Sequence, residues 1–189
     1  GLATTQNQKL AESMELARRH GITRDPTLYE EPSQGSWYYE QITLGFNYRM
    51  NELQAALGLS QMKRLKEIVD RRTAIAARYD QLLANLPVQR PIQAPSTGSS
   101  WHLYVIQVPQ SHHSQIFDYL KRAGIGVNVH YIPIHTQPYY RRMGFKLGQF
   151  PNAESYYRKS ISIPLYFGLT EKDQDQVCAT LEQSLFNVT

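Results

Sequence analysis

Histidine is the side chain best suited to hold a metal or move a proton near neutral pH. Four of the six histidines in this sequence fall in two close pairs, His112 with His113 and His130 with His135. Neighbouring residues at a helix start send their rings apart, so His112 and His113 are expected as solvated groups and not as two ligands of one ion. His130 and His135 lie an odd number of residues apart, which on an extended strand turns them to opposite faces, so a shared ion would need a sharp bend between them. The sole cysteine, Cys178, excludes an intrachain disulfide and any Cys-rich zinc site, and it reads as a core residue. No Gly-rich phosphate loop, HExxH, GxSxG or CxxC occurs. The expectation is a chain with no self-contained catalytic set and no metal.

The elements that would position any site follow from periodicity. Residues 1 to 5 read as the tail of a strand. From 8 to 20, Leu10, Met14 and Ala17 keep near-helical spacing, and Gly21 ends the pattern. Residues 22 to 44 are turn-rich and aromatic, as in an ordered excursion loop that carries contacts. From 51 to about 86 the pattern is strongly helical, with Leu65, Ile68, Val69, Ile75, Ala76, Tyr79, Leu82, Leu83 and Leu86 in steps of three and four, and Asn51 is placed to cap the start. So long a run is expected to link two parts of the fold, with room for a kink. Residues 87 to 100, rich in Pro, Ser, Thr and Gln, read as a linker.

A smaller α/β unit follows, with a strand at 101 to 108, a helix at 114 to 123 closed by Gly124, and a strand at 127 to 134, which together imply a βαβ step. Trp101, His102 and Tyr104 are expected mostly in its core. Pro151 suits the first turn of a helix, and Thr170 with Asp173 resembles a capping pair for a last helix carrying Val177, Leu181 and Leu185. The division expected is residues 1 to 86, including the long helix, and residues 87 to 189.

Apolar residues make up 41% and charged residues 19%, a composition that opposes disorder. No run approaches the length of a membrane span, and the opening GLATTQNQK lacks the order of a signal peptide, so a soluble, cytoplasmic chain with no membrane partner is expected. The net charge of +4 raises the question of nucleic acid. The densest basic groups, Lys63, Arg64 and Lys66 and then Arg71 and Arg72, are interleaved with Glu67 and Asp70 as on a solvated helix face, so no nucleic-acid partner is expected.

Three blocks carry a family resemblance. GFNYRMNELQAALG at 45 to 58 closely resembles the signature that follows the cofactor lysine in the DegT and StrS type of nucleotide-sugar aminotransferases. GIGVNVHYIPIHTQPYY at 124 to 140 is similar to that family's substrate-side segment, and FPNAESYYRKSISIPLYFGLTEKDQDQV at 150 to 177 to its closing helix, strand and helix. Within the family, VNVHYIPIHTQPYYRRMGF is most similar to members acting on the pseudaminic acid pathway.

The resemblance implies the C-terminal part of a PLP-dependent aminotransferase fold of type I, with a long linking helix and a small α/β domain. It implies PLP as cofactor, glutamate and a UDP-linked keto sugar as substrates, and a homodimer. The Schiff-base lysine of the family would stand just upstream of Gly1, so no residue of this chain is assigned a catalytic role and the chain alone is expected to be inactive and to retain no PLP. Lys9 sits within the first helix pattern as a solvated position. Asn47 resembles the amide that reaches a neighbouring subunit's PLP phosphate and the substrate, and Arg49 is its charged companion. Val129, His130, Tyr131 and Ile132 match the segment lining the nucleotide-sugar pocket. The competing reading is a non-catalytic dimerisation or nucleotide-sugar-binding module.

Overall fold

Ten residues, Gln8–Ala17, form the first helix, α1, opened by Asn7, whose side chain accepts the Leu10 N–H. The computed structural model describes residues 3–186. Of residues 1–5, expected as the tail of a strand, 1 and 2 lie outside the described residues and 3–5 are not strand, pairing with no strand among the described residues. The chain turns at His20 and Gly21, both at positive φ, and a side chain on Gly21 would run into the Thr43 carbonyl. The excursion loop is closed by its own ends, β1 (Ile22–Thr23) pairing antiparallel with β2 (Glu40–Gln41). Inside it the Glu40 carboxylate accepts the Glu30 and Glu31 N–H groups and the Tyr38 hydroxyl.

The long helical stretch is divided. α2 (Glu52–Lys63) opens on a reciprocal cap, with Gln54 N–H on Asn51 Oδ1 at 2.9 Å and Asn51 N–H on Gln54 Oε1 at 3.2 Å. It ends before Arg64, and α3 (Leu65–Leu82) begins after it. No Pro or Gly marks the break. The chain packs as two compact units, Gly1–Lys63 and Arg64–Thr189, and α3 lies in the second. The reason is its apolar stripe: Ile75, Ala76, Tyr79 and Leu83 are buried in the second unit's core, whereas α2 buries no side chain.

In the second unit β3 (Tyr104–Gln107) pairs antiparallel with β4 (Ser160–Ile163). After α4 (His113–Arg122) come the short helices α5 (Pro138–Arg142) and α6 (Pro151–Tyr157) and the last helix α7 (Glu171–Phe186), and α4 and α7 pack together, as do α3 and α7. Tyr104, Ile106, Ile116, Leu120, Ile161, Val177 and Leu181 form the centre of the core, and Cys178 is buried with them, its thiol pushed up to about 11 by burial. Trp101 packs against the core, whereas His102 is exposed. The strand expected over 127–134 reduces to one bridge, Asn128 to Ser162 on β4. β3, α4 and Asn128 thus make a βαβ step with antiparallel β4 between its two strand positions. Pairing does not continue past Asn128, and after Pro133 the chain curls into a 3-10 turn at Ile134–Thr136.

The capping pair of the last helix forms as read, with Asp173 N–H on Thr170 Oγ1 and Thr170 N–H on Asp173 Oδ2, both at 3.1 Å. The basic run on α3 is partly as expected, with Arg64 on Glu67 and Lys66 on Asp70. Arg71 and Arg72 depart from it. Arg71 donates to the Phe167 and Leu169 carbonyls, and Arg72 to those of Trp101, His102 and Leu165.

Candidate functional site

The stretch carrying Asn47 and Arg49 is fastened to the end of α1 by backbone bonds. Phe46 N–H donates to the Ala17 carbonyl, His20 N–H to that of Phe46, and Tyr48 N–H to that of Arg18, and Arg19 and Asn47 form an antiparallel bridge. Gly45 permits this approach, because a Cβ there would overlap the His20–Gly21 backbone. Along an extended stretch alternate side chains share a face. Phe46 and Tyr48 stack with centroids 4.8 Å apart, and Asn47 and Arg49 share the other face, Arg49 Nε donating to Asn47 Oδ1 at 3.2 Å. Asn47 and Arg49 are both exposed. Lys9, on α1, is exposed as well.

Arg49 lines a cleft of about 580 Å³ together with Arg19, His20, Ile22, Arg24 and Tyr39. Of these companions the sequence points only to Tyr39, as part of the aromatic, contact-carrying loop. They are dispersed in sequence, and only the bridges at Arg19 and at β1–β2 collect them.

In the second unit, α4 ends at Gly124, with φ of +81° and Ile125 N–H bonded back to the Leu120 carbonyl. Ile125 and Val127 enter the core and carry the chain to Asn128, paired to Ser162 in both directions. Asn128 Oδ1 accepts the Val129 N–H at 2.8 Å. His130 Nδ1 lies 2.7 Å from the Ser162 hydroxyl and its Nε2 lies 3.4 Å from Asn128 Nδ2, which fixes the ring. Tyr131 sets its ring edge-on to His130 and is 71% exposed, and Ile132 is 48% exposed. Val129 and His130 are half-buried. His130 is therefore tied to β4, while Tyr131 and Ile132 are exposed. Asn47 and Arg49 belong to the first unit, these four to the second.

His135 was read from sequence only as half of an unpromising pair. It is buried, and its Nε2 lies 2.9 Å from Glu154 Oε1, which also accepts the Gly148 N–H. Those two hydrogen bonds, His135 first, hold the Glu154 carboxyl below its ordinary range. His113 Nε2 reaches the Ser160 carbonyl at 3.0 Å. Among the described residues no group of three or more His, Cys, Asp or Glu is arranged to hold a metal ion, and no helix is long and apolar enough to cross a membrane.

The pattern of the DegT/DnrJ/EryC1/StrS aminotransferase family matches residues 1–182. The chain belongs to this family. It is 38% identical over 184 residues to the spore coat polysaccharide biosynthesis protein SpsC of Bacillus subtilis, covering 94% of this chain and 47% of that protein. Among solved structures, the putative sugar aminotransferase Spr1654 of Streptococcus pneumoniae in its PMP-form superposes with a TM-score of 0.87 at 26% identity, over 100% of this chain and 48% of that one. A PLP-form of the same protein is also similar. PseC of Helicobacter pylori, an aminotransferase of pseudaminic acid biosynthesis, gives a TM-score of 0.84 at 28% identity, over 97% of this chain and 48% of that one. The chain spans about half the length of the curated relatives it matches. Its architecture is the C-terminal α/β portion of the type I aminotransferase fold.

Proposed function

We propose that this chain forms the C-terminal part of a PLP-dependent sugar aminotransferase that moves an amino group from glutamate to a keto group of a UDP-linked deoxy sugar. The observation that carries the reading is the shared face of Asn47 and Arg49. With Asn47 Oδ1 taken by Arg49, its Nδ2 is left as a neutral donor beside a guanidinium, a set suited to phosphate oxygens. These are the residues of this chain that would hold the cofactor's phosphate. PLP, when bound, supplies the carbonyl carbon that takes up the amino group and the electron sink for breaking bonds beside it.

The role of residues 129–132 in this reading is to bind and orient the nucleotide sugar. His130, fixed by Ser162, offers a positioned ring, and exposed Tyr131 and Ile132 offer flat and apolar surface to a ligand. The finer substrate reading is UDP-4-amino-4,6-dideoxy-N-acetyl-β-L-altrosamine transaminase, supported by the wording of residues 127–145 and the likeness to PseC. We further propose a cytoplasmic homodimer. Exposed Leu53, Leu57, Leu59 and Met62 on α2, with Phe46 and Tyr48 before it, are an apolar surface of the kind a subunit contact covers.

The test is a coupled assay on the full-length enzyme, with glutamate as donor and UDP-linked 4-keto sugars as acceptors. Glutamate-dependent conversion of the keto sugar is the expected result, and its absence with every UDP-linked acceptor would contradict the reading.

A further inference from the structure

We infer that Glu154, acting through His135, is a positioning residue that sets residues 129–132 for the nucleotide sugar. One run of chain, α6 leading into β4, holds those four residues at both ends. At the first end Asn128 pairs with Ser162 on β4, and the Ser162 hydroxyl lies against the His130 ring. At the second end the turn Ile134–Thr136 closes on the Pro133 carbonyl, which accepts the Thr136 N–H at 2.9 Å and its hydroxyl at 2.7 Å. His135 fastens that turn to Glu154 on α6. Exposed Tyr131 and Ile132 stand between the two fastenings, so the second governs where they lie as much as the first.

The second fastening is built for direction more than for stability. His135 and Glu154 are both buried, and a carboxylate away from water needs donors for its lone pairs. An ionised carboxylate only accepts, so His135 Nε2 carries the hydrogen of their bond. Glu154 Oε1 takes that bond at 2.9 Å and the Gly148 N–H at 2.6 Å, so one atom fixes two turns. Gly148 stands at φ of +83°, a conformation that a side chain would strain. An apolar pair of similar volume would fill the same space at little loss of stability, because desolvation of a buried charge offsets much of its attraction. It would leave both turns without a fixed partner.

This deepens the aminotransferase reading and rests on it for the ligand of residues 129–132. The test compares four variants of the full-length enzyme with wild type: Glu154→Ala, the apolar pair Glu154→Leu with His135→Leu, Glu154→Gln and Leu181→Ala. The Glu154→Gln amide oxygen is able to take both bonds that Oε1 now takes, so this variant is the conservative rescue. Leu181→Ala destabilises the same unit from α7. Three quantities are read: KM and kcat with a UDP-linked keto sugar, the calorimetric Kd of UDP-N-acetylglucosamine, and amide hydrogen exchange at residues 129–132.

Glu154→Ala and the apolar pair should each raise KM for the sugar and the Kd about tenfold, with kcat within about twofold, and speed exchange at residues 129–132. Glu154→Gln should stay within about threefold of wild type in KM and Kd. Leu181→Ala should lower the thermal midpoint and leave both unchanged. Sugar binding untouched by Glu154→Ala and by the apolar pair, or weakened as much by Leu181→Ala, would overturn the inference, because the pair would then serve the fold alone. Exchange is read without ligand or turnover, so the two readings fail separately. If wild type binds no UDP-linked sugar, the acceptor reading fails; exchange at residues 129–132 that is the same in wild type and Glu154→Ala overturns the positioning role.

Discussion

His135 Nε2 and Glu154 Oε1 are joined at 2.9 Å across nineteen residues of sequence, both side chains about nine-tenths buried. The same carboxylate oxygen receives the Gly148 N–H at 2.6 Å, and the Phe150 ring stands 4.8 Å from that of His135. One carboxylate therefore ties the turn after residues 129–132 to the Gly148 turn and to α6 (Pro151–Tyr157).

A pH dependence follows. The folded Glu154 carboxyl lies below its ordinary 4.5, chiefly through His135 and then Gly148. As pH falls, the unfolded chain takes up this proton first, so the stabilisation is complete above the ordinary value and fades as pH drops through the lowered one. Urea unfolding from about pH 6 to about pH 3 should show stability falling in that window, and Glu154→Gln should flatten the fall. An unchanged pH profile in Glu154→Gln would remove the pair from the account. His135→Ala should lower the thermal midpoint by several degrees, because it opens a cavity and strips the carboxylate of its partner.

The α7 cap makes a second prediction. Thr170→Ala removes the acceptor of the Asp173 N–H and should cost about 1 kcal/mol of stability by chemical denaturation. Leu181→Ala, at a position with no exposed surface, should cost about 2–5 kcal/mol by the same measurement. Equal costs would mean that α7 is not the core element described.

His130 separates binding from chemistry. Its ring is fixed by Ser162 within the second unit, whereas Asn47 and Arg49 belong to the first. In the full-length enzyme His130→Ala should raise KM for the nucleotide sugar about tenfold while kcat changes less than about twofold. A loss confined to kcat would instead give His130 a role in proton transfer.

What was legible in the sequence was local. The caps at Asn51 and Thr170 rest on residues three apart, and Gly124 ends α4 where the spacing predicts. What was not legible depends on partners far along the chain. The strand expected over 127–134 pairs only at Asn128, and β-branched composition does not reveal where a partner is available. The break at Arg64 has no helix-breaking residue to announce it, although the two helices differ in burial, α3 burying Ile75, Ala76 and Tyr79 and α2 no side chain. His135 looked like a poor metal ligand because Glu154, which explains it, lies on another element. The basic residues looked scattered because Arg19, Arg24 and Arg49 converge only once the stretch 46–48 is laid against the end of α1. The roles of Asn47 and residues 129–132 came from family resemblance, since neither stretch has a spacing that announces its ligand.

The most direct test is a paired measurement of PLP dissociation and thermal midpoint in the full-length enzyme, wild type against Asn47→Ala, at equal protein concentration. The Asn47 side chain is exposed and, among the described residues, hydrogen-bonds to Arg49 alone, so its removal should change stability by less than about 0.5 kcal/mol. Losing a donor to a charged phosphate should cost about 1.5–3 kcal/mol of cofactor binding, about tenfold to a hundredfold in affinity. The account predicts weakened PLP retention with an unchanged apoenzyme midpoint; unchanged retention with a lowered midpoint would contradict it.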